Sequence, residues 1–186
     1  MVQVGKHHYF VAVKLPAEVK AFLQNWVKDH QEEFPFGRWV HPEDFHITLA
    51  FLGFAEEEMK QKLVRSLPGI LGQEPTFTLK LNKIGTFGAV KKPRIFWADT
   101  EHSDDLNRIQ QKVYRQCIDI GFELDKKPFR PHITLARKWN GDQDFNPEKL
   151  TEIGGQLAFT VNEVVLYETH LDQTPKYVEY AVFPLR

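Results

Sequence analysis

The stretch His-Ile-Thr-Leu-Ala occurs twice in this chain, at residues 46–50 and again at residues 132–136. Each copy alternates polar and aliphatic side chains, a pattern that is typical of a β-strand. Because residues i and i+2 of a strand point to the same side, each copy places an imidazole and a hydroxyl on one face and two aliphatic side chains on the other. Two such strands in one chain indicate two imidazoles, those of His46 and His132, that face one groove.

The composition is that of one globular unit. The 186 residues are 42% hydrophobic and 26% charged, which allows a sizeable core and argues against disorder. The formal net charge of −1 excludes a strongly basic coat for nucleic acid, although it is compatible with a local basic groove.

The single cysteine and the N-terminal sequence indicate the cellular compartment of the protein. Cys117 lies at helical spacing among apolar residues, so we expect a buried thiol and no intramolecular disulfide, which favours the cytoplasm. The first residues lack the apolar stretch of a signal peptide. No apolar run approaches the roughly 20 residues that span a bilayer, so we expect no membrane association.

Periodicity and turn residues predict an α+β fold. Strands are expected at residues 9–15, 46–53, 77–81, 94–100, 132–136, 157–170 and 177–185. Helices are expected after Pro16, from Glu56, from Ser103 to Gly121 and, briefly, at 147–153, with loops at 34–44 and 126–131. Each motif strand follows a strand–helix unit, which indicates an internal duplication. We therefore expect residues 1–186 to form a single domain of two packed, pseudo-symmetric lobes.

Two imidazoles in one groove suit displacement at phosphorus. Neutral pH lies near the unperturbed imidazole pKa of about 6.5, so one histidine can take a proton while the other gives one. Each such role typically contributes roughly a hundred- to ten-thousand-fold to a rate. The hydroxyls of Thr48 and Thr134 lie two residues after the histidines and can hydrogen-bond phosphoryl oxygens. Residue-level reasoning does not order the two histidine roles.

The repeat has three other interpretations besides acid–base catalysis. Two histidines under-fill a zinc site, and although Glu43 and Asp44 precede the first copy, nothing comparable precedes the second, so we expect no metal. A Ser-His-Asp triad lacks its Gly-x-Ser-x-Gly elbow. Two buried strands with satisfied histidines remain a purely structural alternative.

Basic and aromatic residues surround the second copy. Arg130 and Arg137 lie within five residues of His132 and are candidates for holding a phosphate. Phe129 is a candidate for stacking on a base, although core packing is equally compatible with it. The neighbouring lysines are expected to be solvated surface.

The chain resembles the RNA 2′,3′-cyclic phosphodiesterases, long called 2′-5′ RNA ligases, within the 2H phosphoesterase superfamily. The resemblance rests on both His-x-Thr-x motifs and covers nearly the whole chain. Supporting segments are residues 10–16, 38–53, 85–88, 93–97, 129–137 and 165–171. Departures from the family pattern at His8, Lys14 and His41 bear on substrate preference and leave the motifs intact.

The resemblance implies a two-lobed α+β fold, in which each lobe is an antiparallel sheet with helices on its outer face and the lobes surround a central active-site groove. It also implies hydrolysis of a 2′,3′-cyclic phosphate on RNA to a 2′-phosphate, without a metal or other cofactor. It assigns His46 as proton donor to the leaving oxygen and His132 as proton acceptor from water. The implied partner is RNA with a cyclic phosphate end, tRNA fragments among the candidates, and the reverse reaction joins ends through a 2′-5′ bond. We expect a monomer. A 2H esterase of small cyclic nucleotides and a non-catalytic RNA-binding module are the alternatives.

Overall fold

The computed structural model describes residues 7–154 and 156–186. Residues 1–6, over which no signal peptide is expected, lie outside the described residues. Within the described part, nine strands form one sheet and three helices cover one of its faces. The strands are β1 His8–Lys14, β2 Phe36–Trp39, β3 His46–Phe54, β4 Phe77–Gly88, β5 Pro93–Thr100, β6 Ile133–Trp139, β7 Ala158–Val161, β8 Glu163–Thr169 and β9 Tyr177–Pro184. The helices are α1 Ala17–His30, α2 Glu57–Leu71 and α3 Asp104–Ile120.

The sheet has two halves that meet at the repeated motif. The strand order is β7-β4-β5-β6-β3-β1-β8-β9, with β2 paired to β6 and every pair antiparallel. We call β1, β3, β8 and β9 the first half-sheet and the other five strands the second half-sheet. Between β3 and β6 the register contains the single pair Ile47 and Ile133. This order is consistent with two related lobes, whose pseudo-symmetry stays a prediction.

The helices tie the halves together on the face that carries the core. Gln110 of α3 donates to the Leu49 carbonyl of β3 over 3.3 Å, so α3 packs on the first half-sheet. Trp26 of α1 lies 6.0 Å, centroid to centroid, from Phe96 of β5, so α1 packs near the second. Each of these helices follows a strand of one half and covers the other, which leaves the opposite face of the junction for the motif side chains.

Helix ends and the buried thiol match the sequence signals. The Ser103 hydroxyl accepts from the Leu106 amide over 3.1 Å and caps α3 as predicted. The helix ends at Gly121, whose φ of 118° suits glycine. Cys117 is buried, as predicted, and burial raises the pKa of its thiol to about 12. Among the described helices, none has both the length and the apolar composition to cross a bilayer.

Three predicted elements were wrong. The expected loop at 34–44 contains β2, which pairs with β6 because the Phe36 ring is buried against Phe96. The expected helix at 147–153 is only a 3-10 turn, Pro147–Lys149, because residues 151–153 instead bond to β4 in extended form. The expected strand at 157–170 divides into β7 and β8, which pair with β4 and β1 respectively.

Candidate active site

The two motif copies meet at the junction of the half-sheets. Ile47 pairs with Ile133, and both side chains are buried in the core. Directly opposed residues of an antiparallel pair point to the same side, and successive residues alternate. The residues that flank the two isoleucines therefore share the opposite face: His46, Thr48, His132 and Thr134. In this register each histidine stands opposite a threonine of the other strand.

Local hydrogen bonds fix the tautomer of His46. Its Nδ1 lies 2.7 Å from the Asp44 carbonyl oxygen and its Nε2 lies 2.9 Å from the Thr48 hydroxyl. Because a carbonyl only accepts, Nδ1 must carry the proton, and in the neutral ring Nε2 accepts from Thr48. The ring packs between Phe10 and Tyr177, at centroid distances of 4.6 and 5.1 Å. The neutral His46 ring therefore packs against two aromatic rings and carries its basic lone pair on Nε2.

The same device orients His132. Its Nδ1 donates to the Arg130 carbonyl over 2.8 Å, so Nε2 is again the basic nitrogen. The ring meets Phe87 edge-on at 4.9 Å, and the Arg130 guanidinium lies 4.8 Å from the centre of the same phenyl ring. Both copies therefore use the carbonyl two residues before the histidine to expose Nε2.

Burial keeps His46 neutral in the free protein. It lowers the pKa of His46 from 6.5 to about 4, against the opposing effect of the Asp44 carbonyl. The charges of His132, Arg137 and Lys176 contribute to this lowering of the pKa. Protonation of His46 consequently requires an anion nearby or an acidic solution.

Burial also lowers the pKa of His132, against the opposing effect of the Arg130 carbonyl. The charges of Arg137 and Arg130 act in the same direction as burial. Of the two histidines, His46 is the more strongly displaced. At neutral pH both imidazoles of the free protein are therefore bases.

A β-bulge interrupts the first copy immediately after its threonine. Ala12 pairs with Thr48 and Val11 pairs with Ala50, so Leu49 has no partner of its own on β1. Leu49 and Ala50 are both buried in the core, although they are adjacent. The bulge therefore reverses the alternation of the strand beyond this point.

The second copy carries the equivalent bulge. Trp97 pairs with Thr134 and Phe96 pairs with Ala136, which leaves Leu135 without a partner on β5. Leu135 and Ala136 are again adjacent and both buried. In both copies the bulge coincides with the Leu-Ala dipeptide.

The bulges bring the fifth residue after each histidine onto the site face. In the first copy this residue is Phe51, which is 56% exposed; in the second it is Arg137. Because the strands are antiparallel, Phe51 lies toward the His132 end and Arg137 toward the His46 end. Arg137 accordingly acts on the pKa of His46.

An open groove of about 940 Å³ extends from the His132 end. Its aromatic lining residues include Phe51, Phe87 and Phe129. Phe129 is partly buried against the core and also lines the groove, and its stacking on a base stays a prediction. The cationic residues along the groove are Arg94, Lys127 and Arg130.

A smaller cleft of about 380 Å³ lies at the His46 end. It holds the cations Arg38, Arg137 and Lys176. Burial lowers the pKa of Lys176, and the charge of Arg137 lowers it further. Arg130 and Arg137, which the sequence suggested as phosphate contacts on one motif, thus lie at opposite ends of the histidine pair.

Asp44 is a site residue whose role the sequence did not reveal. Its carboxylate accepts from the backbone amides of Lys176 and Tyr177 over 3.0 and 3.1 Å, while its carbonyl holds His46. It therefore joins the motif loop to the start of β9. Its side chain is 4% exposed and committed to these amides, so the structure uses it to position the site. The only sequence signal was its place two residues before the histidine.

The sequence of this chain matches a known protein family. A model described as the 2′-5′ RNA ligase superfamily matches residues 15–173, which is most of the chain. The chain belongs to the 2′-5′ RNA ligase superfamily. The family resemblance predicted from the two motifs is confirmed.

Relatives and structures of this superfamily cover the chain almost end to end. An RNA 2′,3′-cyclic phosphodiesterase of Geobacillus stearothermophilus is 42% identical over 97% of this chain, which spans 58% of that longer relative. One of Bacillus subtilis is 35% identical over 96% of both chains. The structure of Escherichia coli LigT complexed with 3′-AMP superposes with a TM-score of 0.81, at 25% identity, over 96% of this chain and 98% of that chain. The predicted α+β fold is confirmed.

Proposed function

We propose that this protein hydrolyses 2′,3′-cyclic phosphate ends of RNA to 2′-phosphates by paired-histidine catalysis without a metal. The observation that carries the proposal is the junction face, where two Nε2 lone pairs and two threonine hydroxyls converge. The names of the relatives support the reaction class. The domain boundaries 1–186, a monomeric state and a cytoplasmic location belong to the same proposal.

The proposed reaction assigns one proton transfer to each imidazole. His132 Nε2 takes a proton from water as its oxygen forms a bond to phosphorus. The bond from phosphorus to the 3′ oxygen breaks, and His46 Nε2–H protonates that oxygen. The products are a 2′-phosphate and a 3′-hydroxyl. When a 5′-hydroxyl of a second RNA replaces water as the nucleophile, the same opening of the cyclic phosphate joins the two ends through a 2′-5′ bond, and reversal of that step is cleavage of the bond.

His46 needs a raised pKa to act as the proton donor. In the free protein that pKa is about 4, partly because Arg137 and Lys176 repel an added positive charge. A phosphate anion bound beside these cations compensates their charge and attracts a proton to the imidazole. Substrate binding thus prepares the acid form of His46, which makes the cationic cleft part of the proposed mechanism.

The threonines and Arg137 stabilise charge that develops on phosphorus. Thr48 and Thr134 each stand opposite a histidine, within reach of a phosphoryl group between the strands. Their hydroxyls, together with the Arg137 guanidinium, offer donors to the non-bridging oxygens. Donors aimed at an anionic transition state usually supply a large part of catalysis.

The groove favours an RNA end over a small cyclic nucleotide. A volume of about 940 Å³ is open and extends well beyond the histidine pair. Phe51 and Phe129 offer surfaces on which bases stack, and Arg94, Lys127 and Arg130 offer charge for a phosphate backbone. Such a surface contacts nucleotides upstream of the cyclic end, whereas a mononucleotide leaves it empty.

Incubation with an oligonucleotide ending in a 2′,3′-cyclic phosphate tests the proposal, in the presence of EDTA. We expect turnover to a product with a 2′-phosphate and a higher kcat/KM than for a cyclic mononucleotide. A 3′-phosphate product contradicts the assignment of His46. Tight binding without turnover favours a non-catalytic RNA-binding module, and equal activity on the mononucleotide favours a cyclic nucleotide esterase.

A further inference from the structure

A second group of ionisable side chains lies on the helix-covered side of the sheet, next to α2. It consists of His7, Glu168 and His170, which we call the His7 cluster. One nitrogen or oxygen atom of each residue lies within 4.8 Å of the other two. The cluster uses neither motif histidine, and the proposed reaction leaves it without a role.

Hydrogen bonds already orient the members of the cluster. His170 Nε2 lies 2.5 Å from Glu168 Oε1. His7 Nδ1 donates to the Thr169 carbonyl over 2.9 Å, which leaves Nε2 as the nitrogen with a lone pair. The two imidazole rings lie 4.3 Å apart, centroid to centroid.

The carboxylate of Glu168 is fixed from its other side. The Tyr9 hydroxyl donates to Glu168 Oε2, and Lys60 Nζ donates to Tyr9 over 2.9 Å. Outer contacts of this kind, a carbonyl behind an imidazole and a hydroxyl behind a carboxylate, are those that orient ligands in metal sites. All three members of the cluster are partly buried, which limits the competition from bulk water.

We propose that the His7 cluster binds one divalent transition-metal ion of the zinc class. Two imidazoles and one carboxylate form a donor set that zinc accepts, with water in the fourth position. Nitrogen donors select such ions over Mg²⁺ and Ca²⁺, which prefer oxygen. Donor atoms around a tetrahedral zinc lie roughly 3.4 Å apart, so the contact between His170 and Glu168 opens by about 1 Å on binding.

Binding at this cluster replaces a hydrogen bond and fixes a loop. The ion takes the place of the hydrogen bond between His170 Nε2 and Glu168 Oε1, and the ring proton of His170 moves to Nδ1 so that Nε2 can bind the metal. The His170 amide donates to the Lys176 carbonyl over 2.6 Å, at the base of the loop that Asp44 also holds. The bound ion therefore joins β1 to the base of this loop, and it stabilises the folded state by mass action.

Calorimetric titration of the untagged chain with zinc tests the proposal. The parent is the full chain with His46→Ala and His132→Ala, because the motif imidazoles are themselves potential metal ligands. We expect one saturable site per chain and a rise in Tm with zinc but none with Mg²⁺. Co²⁺ is expected to give the visible absorption of a tetrahedral complex.

Variants of the cluster identify the site. Glu168→Gln and His170→Asn should each weaken zinc binding by about tenfold or more. His102→Ala is the matched control, because His102 pairs with Asp104 over 2.8 Å outside the cluster and its loss should leave zinc affinity unchanged. If Glu168→Gln fails to fold, His170→Asn decides the question. Unchanged zinc affinity in His170→Asn, or the absence of saturable binding to the parent, overturns the proposal.

Discussion

The two copies of His-Ile-Thr-Leu-Ala have the same sequence and the same backbone geometry, yet their surroundings differ. Both fix Nδ1 on a carbonyl and both carry a bulge at the leucine. His46 packs against aromatic rings, and the cleft that Asp44 and Arg137 line lies at its end of the site, whereas His132 lines the large groove. The motif supplies the orientation of an imidazole, and the residues around it decide how readily that imidazole takes a proton.

The fifth residue after each histidine shows the same division. The bulges bring Phe51 and Arg137 to equivalent positions on the site face. One side chain is suited to a base and the other to a phosphate. A pair of identical strands thus produces a site with a stacking end and an anion end, which gives a bound RNA a direction.

The histidines themselves should give the largest effects. His46→Asn and His132→Asn are each expected to lower kcat by roughly a hundred- to ten-thousand-fold, because each removes one proton transfer. The double variant should lose little more than the worse single variant, since the two act as a unit. Single-turnover rates, with circular dichroism as a check on folding, measure this. A single variant that retains near-normal kcat contradicts the paired mechanism.

Substitutions of Arg137 and Phe51 test whether the two ends of the site have different roles. Arg137→Ala should lower kcat/KM by about ten- to a hundredfold, since a charge-assisted hydrogen bond to phosphate is lost. Phe51→Ala should raise KM by about fivefold with little change in kcat, since only stacking is lost. Steady-state kinetics on one cyclic-ended oligonucleotide compares them. Equal effects of both variants on kcat would remove the distinction between the ends.

Asp44 tests how the His46 end is held together. Asp44→Ala leaves the partly buried amides of Lys176 and Tyr177 without their acceptor, so the free energy of unfolding should fall by about 1–3 kcal/mol. Glu43→Ala is the control, because the Glu43 side chain is exposed and its loss should cost less than about 0.5 kcal/mol. Urea denaturation measures both. A stability loss no larger than that of the control contradicts the proposed link.

Alternation in the sequence was sufficient to place the histidine and threonine of each copy on one face, because strand periodicity is local, whereas the pairing of β3 with β6 that unites the two faces depends on the assembled fold. The cap at Ser103 and the end of α3 at Gly121 were predictable for the same reason. The bulges were not, since Thr-Leu-Ala reads as ordinary alternation until its partner strand is known. The contact of Asp44 with Lys176 joins residues 132 positions apart, and such pairs depend on the assembled fold.

Thr48 should affect catalysis less than the two histidines and Arg137 do. Thr48→Val removes the hydroxyl that donates to the neutral form of His46, so the pKa of His46 should rise from its value of about 4. Loss of one donor to the phosphoryl group should lower kcat by about tenfold or less. An NMR titration of the His46 imidazole follows the first effect, with Thr134→Val as the matched variant. A lowered His46 pKa in Thr48→Val would contradict the assigned tautomer.

The pH dependence of kcat/KM and of kcat, measured in EDTA on a cyclic-ended oligonucleotide, tests the central claim most directly. The reaction needs one protonated and one neutral histidine, and in the free protein the pKa values of both lie below 6.5. Since kcat/KM reports the free protein, it should already decline with rising pH at pH 6.5. The bound phosphate raises both pKa values, so the same decline in kcat should lie about 1 pH unit or more higher. Coincident profiles, or activity that EDTA abolishes and zinc restores, would contradict the account.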